Sequence, residues 1–307
     1  MTSSLLPPIS VALLNYNRAA KVLDTLEIVL QSDYPAELMR LVVIDNNSTD
    51  GTAEQVQERF GSRVEVLRLP ENIGAVARNR AMMEFPEPYI FVFDEDCAPE
   101  KPDTLRRAVA LLEQHPEFGA LCLNCRNYFT GQTEYLGWER TARRRLPEGI
   151  YEGVYVAGNG MCFRRDAIQQ TEGYDERFFF AAEELALSFE MLYSGVQIAY
   201  DPTIVLLHRR GPRELSPPFA QELEARNNIW APMRYLPIPL GVPVAMIHTT
   251  RRLTRAVVRR QWANLGGVWR GVLRGLRGVP EMIATRRVVP LRTLARYHRW
   301  FFDMVPR

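Results

Sequence analysis

The sequence predicts an α/β fold, a mostly parallel central sheet with flanking helices, followed by a C-terminal helical region. Three observations predict it. Short apolar runs alternate with helical periods through the first hundred residues, polar clusters recur where those runs end, and past residue 217 arginine-rich helical patterning replaces every strand signal. Strands that read as continuous apolar runs belong to sheets covered on both faces. Ligands of such sheets bind beyond the carboxyl ends of the strands.

Residues 9–14 form the first apolar run, and 19–31 place Val22, Leu26, Val29 and Leu30 at helical spacing. Residues 41–44 repeat the buried-strand pattern. The NNSTDG stretch at 46–51 is turn chemistry, and Thr52 with Gln55 fits a capping box opening a helix through about residue 60. Residues 64–69 read as a third strand, 75–84 as a third helix and 89–93 as a fourth strand, a βαβαβαβ series. A helix at 103–115 stops before Pro116, and strands and loops then run to residue 164. Residues 182–194 read as a helix with Gly195 at its C′ position, and 197–200 as a strand.

Apolar content of 47% with 24% charge is that of a globular protein, and 307 residues allow one large domain or two ordinary ones. The net charge of +2 is unevenly spread. From Ala220 to Arg307 there are 16 arginines and no lysine against 4 acidic residues, a balance of +12 that leaves −10 for residues 1–219. The asymmetry points to an anionic partner for the C-terminal part. Nucleic acid is not that partner, because no nucleic-acid module is recognisable and lysine is nearly absent. Four cysteines, Cys97, Cys122, Cys125 and Cys162, are too few for a disulfide framework, and Cys122-x-x-Cys125 lacks a second pair at zinc spacing. The first eight residues show no basic segment or long apolar core, so the expected location is cytoplasmic; the expectation of peripheral contact with the inner face of the cell membrane rests on the arginine- and tryptophan-rich C-terminal part. The longest apolar-rich stretch, 235–248, holds Pro237, Pro239 and Pro243 and cannot span a bilayer as a helix.

The fourth strand runs directly into Asp94, Glu95 and Asp96. Three adjacent carboxylates repel, and a hard cation such as Mg²⁺ or Mn²⁺ bridging to phosphate is the usual compensation. The alternative is an acidic turn capping the next helix. Two further polar clusters stand at strand ends, Asn15 to Arg18 and Asp45 to Asn47.

Seven segments in order, VALLNYNR at 11–18, VIDNNSTDGT at 43–52, NIGAVARN at 72–79, DED at 94–96, GNGMCFR at 158–164, GYDERF at 173–178 and EELAL at 183–187, resemble the inverting family 2 glycosyltransferases of GT-A fold, including rhamnosyltransferase-like bacterial members. The resemblance runs from about residue 9 to 211. It implies a catalytic domain at 1–219, divided into a nucleotide-binding half (1–100) and an acceptor-side half (101–219), with 220–307 as an appended helical region.

The resemblance also implies roles. Asn15, Tyr16 and Arg18 would line the donor pocket, Asp45 would accept from base or ribose, and Arg78 would approach the base or diphosphate while Asn79 and Gly74 shape a helix start whose free N–H groups favour an anion. Asp94 would contact the ribose, Glu95 would support the site, and Asp96 would bind a divalent metal, Mn²⁺ or Mg²⁺, with His208 completing its shell. Gly158, Asn159 and Gly160 would form the acceptor-side strand beside the donor sugar. Glu184 takes the general-base position with Glu183 as runner-up, and Ala186 lacks the carboxylate usual two positions on. The turn at 61–63 and the loop at 126–153, with Arg143, Arg144 and Arg145, are expected to flank the acceptor path.

The implied function is transfer of a sugar from a UDP-, dTDP- or GDP-linked donor to a hydroxyl acceptor with inversion, in cell-surface polysaccharide or glycolipid assembly. The alternatives are a sugar-1-phosphate nucleotidyltransferase, whose glycine-rich basic loop is replaced here by Asn15 to Arg18, and a sugar-nucleotide-binding protein without catalysis. No G-x-G-x-x-G follows the first strand, which disfavours a dinucleotide-dependent oxidoreductase. In 220–307, Trp230, Trp262, Trp269 and Trp300 interleave with Arg251, Arg252, Arg255, Arg259, Arg260, Arg270 and Arg274. That pattern fits helices lying on an anionic membrane near a lipid-linked acceptor, or a homodimerisation or lid element.

Overall fold

The computed structural model describes residues 6–134, 144–211, 218–258 and 262–297. The apolar runs become β1 (Ile9–Asn15), β2 (Met39–Asp45), β3 (Glu65–Arg68) and β4 (Tyr89–Asp94), joined by helices α1 (Ala19–Val29), α2 (Thr52–Phe60) and α3 (Asn79–Glu84). All pair in parallel, because each helix returns the chain to the same sheet edge. Past Asp94 the sheet becomes mixed. β5 (Cys97–Pro99), α4 (Thr104–Gln114), β6 (Phe118–Asn127), β7 (Arg144–Arg145), β8 (Tyr151–Gly153), β9 (Gly160–Arg164), α5 (Arg165–Ile168), α6 (Glu183–Tyr193) and β10 (Gln197–His208) follow. The strand order is β3-β2-β1-β4-β9-β6-β10-β8-β7, with β5 on the end of β10. β9 runs antiparallel to both β4 and β6.

Apolar side chains fill both faces of the sheet. Val11, Leu13, Val43, Phe91 and Phe93 point to one core and Ala12, Val42, Ile44, Ile90 and Val92 to the other, the period-2 alternation of strands buried on both sides.

Three local expectations change. The capping box at Thr52 and Gln55 is not formed, because Gly51 takes the cap position at φ 76° and makes Thr52 the first helical residue. Asp50 caps instead, its Oδ1 accepting from the Thr52 N–H at 3.2 Å and hydroxyl at 2.5 Å. The strand expected at 197–200 continues to His208 through an irregularity between Asp201 and Val205, where Pro202 interrupts the ladder and pairing with β6 then resumes. The turn at Gly61–Arg63 joins a helix to β3 and so lies at the amino edge of the parallel strands, away from the acceptor path expected for it. Of the loop at 126–153, residues 135–143, Arg143 among them, lie outside the described residues.

The C-terminal region forms α7 (Pro218–Tyr235), α8 (Ile238–Val258), α9 (Trp262–Ala284) and α10 (Leu291–Arg296). The boundary expected at 219/220 falls in the first turn of α7. Among the described residues no helix is long and apolar enough to cross a membrane. Leu185, Ala186 and Phe189 of α6 share one core with Ile229, Val268, Val272 and Met282, so the helical layer is built onto α6. α9 lies close along α7 because glycines face it. A Cβ on Gly271 would stand 2.2 Å from the Glu222 carbonyl oxygen, and one on Gly275 would stand 2.7 Å from Ile229 Cδ1.

Because the atom facing Gly271 is backbone, a valine there must part the two helices. Gly271→Val is expected to lower unfolding stability by about 1–3 kcal/mol, read as a lower urea midpoint with unchanged slope. A midpoint equal to that of the unaltered chain would contradict this packing.

Candidate active site

Ladder register brings the first polar clusters level at one edge. Asn15 pairs with Asp45 across β1 and β2, and Leu14 with Asp94 across β1 and β4. Asn15, expected to line the donor pocket, is fully buried, and its amide donates to Ser48 Oγ (3.1 Å) and Thr52 Oγ1 (3.2 Å), so it ties down the β2–α2 loop. Tyr16 follows at the rim, 46% exposed. Asp45 does two things. Oδ1 accepts from the Ser48 N–H at 3.1 Å, while the buried Oδ2 receives no hydrogen bond and Arg68 Nε stands 3.9 Å away. An unsatisfied buried carboxylate oxygen is costly.

The acidic turn does not cap a helix, since β5 follows it directly. It gathers cations instead. Asp96 is buried, with Lys21 Nζ at 3.0 Å, His208 Nε2 at 3.2 Å and Arg18 Nη1 at 3.4 Å. Arg18 also reaches Glu95 Oε1 at 3.2 Å, so it belongs to this turn. Pairing of His208 with Cys97 across β10 and β5 is what delivers the imidazole. Its Nδ1 lies 2.5 Å from Glu134 Oε2 and 3.3 Å from Asn159 Nδ2, and the Asn159 carbonyl accepts from the Asp94 N–H at 3.3 Å. Burial opposes the imidazolium, but Asp96, Cys125 and Glu134 outweigh it and push His208 up to about 12. Burial likewise raises Asp96, yet the bonds from His208 and Lys21 hold its carboxyl well below the usual range. Partial burial and the neighbouring charges of Asp94 and Asp96 push Glu95 up to about 7.

The donor set fits a hard divalent cation. Adjacent ligands of an octahedral shell at about 2.1 Å stand about 3 Å apart, the spacing of Asp96 Oδ1 and His208 Nε2 at 3.2 Å. Binding would require His208 to give up its proton. Oxygen and sulfur donors of Asp94, Asp96 and Cys97 also lie within 4.8 Å of one another, as do donors of Cys97, Cys125 and His208. Cys122 has no part in either group and accepts from the Ala157 N–H at 3.4 Å as a packing residue.

Arg78, expected to approach the base or diphosphate, is buried and ion-paired to Asp94, with Glu183 Oε1 3.9 Å from its other terminal nitrogen. Tyr174 lies under its guanidinium at 5.6 Å. Asn79 is also engaged by backbone, exchanging two 2.9 Å hydrogen bonds with Tyr174. The helix start near Gly74 is not free for an anion. It is a 3-10 turn in which Asn72 Oδ1 accepts from the Gly74 N–H (2.9 Å) and the Phe179 carbonyl from the Ala75 N–H (2.6 Å). Gly74 is required there, at φ 69° with a Cβ position 2.2 Å from the Phe179 carbonyl oxygen.

Glu183 and Glu184 open α6. Burial pushes both carboxyls up; repulsion from Glu184 adds to the rise at Glu183, while Arg78 opposes it at both. A Cβ on Gly158 would meet Glu184 Oε1 at 2.5 Å, so the glycine leaves that carboxylate its place beside β9. A Cβ on Gly160 would strike Leu206 Cδ1 at 1.9 Å, a packing requirement of the strand. Ala186, where a carboxylate is usual, is buried in the core shared with α7 and α9.

Two residues at the site, Lys21 and Glu134, lie outside every segment that carries the resemblance, and Tyr174 lies inside one, GYDERF, without a role expected for it. Lys21 carried a signal, being one of two lysines in the chain. Glu134 carried none, because it arrives through a bridge pairing Thr133 with Arg126.

The family model described as glycosyl transferase family 2 matches residues 10–171, more than half of the chain. A probable glycosyltransferase of Bacillus subtilis (strain 168), YdaM, is 23% identical over 214 residues, covering 65% of this chain and 50% of YdaM. The chain thus spans about half the length of that relative. Among solved structures it resembles the mannosyltransferase PcManGT from Pyrobaculum calidifontis in complex with GDP-Man and Mn²⁺, with TM-score 0.60 and 17% identity, covering 98% of this chain and 89% of that one. It also resembles S. aureus TarS 1–349 in complex with UDP-GlcNAc, with TM-score 0.59 and 17% identity, covering 96% and 88%. These likenesses establish the expected GT-A fold.

Replacing Arg78 with methionine removes the partner of half-buried Asp94 and leaves buried Glu183 uncompensated. Arg78→Met is expected to cost about 3–5 kcal/mol at pH 7. Burial already raises the Glu183 carboxyl and Arg78 opposes that rise; without Arg78, Glu183 binds its proton more tightly folded than unfolded, so stability falls as pH rises and the deficit shrinks on acidification. Urea unfolding at pH 7 and pH 5 checks this; an equal deficit at both would contradict it.

Proposed function

Because the chain belongs to glycosyl transferase family 2, we propose that it moves a hexose or deoxyhexose from a nucleotide diphosphate sugar to a hydroxyl acceptor with inversion at the anomeric carbon. One observation carries the reading: buried Arg78 links Asp94, at the carboxyl end of β4, to Glu183, at the start of α6. The donor-side and acceptor-side carboxylates are thereby held around one guanidinium.

In this reading Tyr16 stacks on the base, Asp45 Oδ2 accepts from base or ribose, and Asp94 contacts the ribose. Asp96 and His208 would hold Mn²⁺ or Mg²⁺, which would supply positive charge to stabilise a departing nucleoside diphosphate. Glu184, beside Gly158, takes the acceptor hydroxyl proton as the new C1–O bond forms, and the electron pair of the breaking bond leaves with the diphosphate. Burial that raises the Glu184 carboxyl makes it a stronger base once ionised. Glu183 lies nearer Arg78 and is the runner-up. Arg78 and Asn79 serve as positioning residues, and Arg18 and Lys21 steady the acidic turn. PcManGT is described with GDP-Man and Mn²⁺ and TarS with UDP-GlcNAc; both support a nucleotide-sugar donor and the first a divalent cation.

The acceptor is proposed to be lipid-linked, with α9 resting on an anionic membrane. Trp269, Leu273, Leu276 and Ile283 are exposed at spacings of four, three and seven residues, one helical face, with Arg270, Arg274 and Arg277 beside them. This revises the residue assignment of the membrane expectation. Trp230 donates to the Gly275 carbonyl between helices, and Arg252 turns inward to Glu224 and Gln221. The side chains of Trp262, Trp300, Arg259 and Arg260 lie outside the described residues.

The test is a panel of UDP-, dTDP- and GDP-sugars with Mn²⁺, Mg²⁺ or chelator, on the natural chain and Glu184→Gln. One donor is expected to bind with metal only and to be turned over, and Glu184→Gln to retain its affinity within about twofold while losing at least 10²-fold in kcat. Binding with no turnover by either protein, acceptors included, favours the sugar-nucleotide-binding alternative. For the membrane, sedimentation with phosphatidylglycerol vesicles and not phosphatidylcholine ones is expected, weakened about tenfold in Trp269→Ala/Leu276→Ala. Equal recovery on both lipids, or concentration-dependent dimers in their absence, counts against it.

A further inference from the structure

The turn that delivers Glu183 and Glu184 is strained and is held from outside the first 219 residues. Phe179, Ala181 and Ala182 have φ of 55°, 62° and 62°, three of the five left-handed non-glycine residues among those described. L-residues adopt that region rarely, and they remain there when surrounding contacts overdetermine the backbone. Ala182 is the N-cap of α6 and provides no side-chain hydrogen bond, so the direction of the first helical turn follows from this backbone alone.

Each carbonyl from Arg177 to Ala181 has a defined donor. Asn227, fully buried on α7, donates its amide to the carbonyls of Phe178 (2.8 Å), Phe180 (3.0 Å) and Ala181 (2.7 Å). Its neighbour Arg226 donates to those of Arg177 and Phe178, both at 3.0 Å, and from Nε to Asn227 Oδ1 at 2.9 Å, which orients the amide. From the opposite side the Ala75 N–H donates to the Phe179 carbonyl at 2.6 Å. The turn is gripped between the 3-10 turn after β3 and α7.

We propose that Asn227, oriented by Arg226, is a positioning residue for the general base: its amide holds the 178–182 turn in the conformation that sets Glu184 beside Gly158. This rests on the reading that Glu184 accepts the acceptor proton. Asn227 makes its hydrogen bonds to the turn and to Arg226, and it acts on the base only through the backbone. The C-terminal helices therefore complete the active site, whatever surface their outer face meets.

The experiment is a double-mutant cycle of Asn227→Ala with Glu184→Gln in the full chain, using the donor selected from the nucleotide-sugar panel, with UDP, dTDP or GDP plus Mn²⁺ as the binding probe. A base displaced by about 1 Å loses on the order of 10²-fold. Asn227→Ala is expected to lower kcat 30- to 100-fold, to leave nucleotide affinity within twofold, and to change the residual rate of Glu184→Gln less than twofold. Amide exchange over 178–184 should rise at least tenfold with β1 to β4 unchanged. Asn227→Ser, which keeps one donor, carries the same comparison if the alanine variant does not fold. A kcat loss under threefold, a loss repeated in full on the Glu184→Gln background, or unchanged exchange in 178–184 overturns the proposal. Full turnover by Glu184→Gln alone sinks the base assignment instead, so the two failures are distinguishable.

Discussion

Asp94 and Glu183 are distant in sequence, one closing β4 and the other opening α6, the first half-buried and the second buried. Two carboxylates brought toward one point repel, and burial adds a cost at Glu183. Arg78 supplies a partner to both. Its own position is set by Tyr174 beneath it and by Asn79, which clasps the Tyr174 backbone. The relative placement of these two carboxylates thus depends on one guanidinium. Arginine suits the task because it keeps its charge when buried and presents several donors in a rigid plane.

A second dependence runs through α7. One face of this helix carries Arg226 and Asn227 into the turn before α6, and another packs against the glycines of α9. The same helix therefore joins the turn before Glu183 and Glu184 to α9. The core shared by α6, α7 and α9 makes that layer part of the site's support.

The charge asymmetry of the chain is partly internal. Several C-terminal arginines neutralise acids of the preceding residues: Arg234 lies 3.1 Å from Asp175, and Arg287 reaches Glu190 at 2.8 Å and Glu172 at 2.6 Å. Others face outward, Arg270 and Arg274 among them, each pairing with Glu222 at an exposed position. Counting charges along the sequence cannot separate these two populations, because the distinction is made by which helix face meets the sheet domain.

Local pattern determined much of this protein. The apolar runs at 9–14, 41–44 and 89–93 could only be buried strands, and each carries its polar cluster to the carboxyl edge because a strand's end and the residues after it are contiguous in the chain. The acidic turn at 94–96 and the acidic start of α6 were legible for the same reason. What the sequence could not show was anything made by contacts between distant segments. His208 stands at Asp96 because a strand continues past Pro202 and pairs with β5. Arg78 faces carboxylates and Asn15 faces Ser48 and Thr52 because register and packing turned them there. Lys21, Glu134 and Asn227 were ordinary polar residues until the fold set them against Asp96, His208 and the 178–182 turn. Hydrophobic periodicity is a property of neighbours, whereas a charge or an amide acquires a role only from what tertiary structure places within about 3 Å of it.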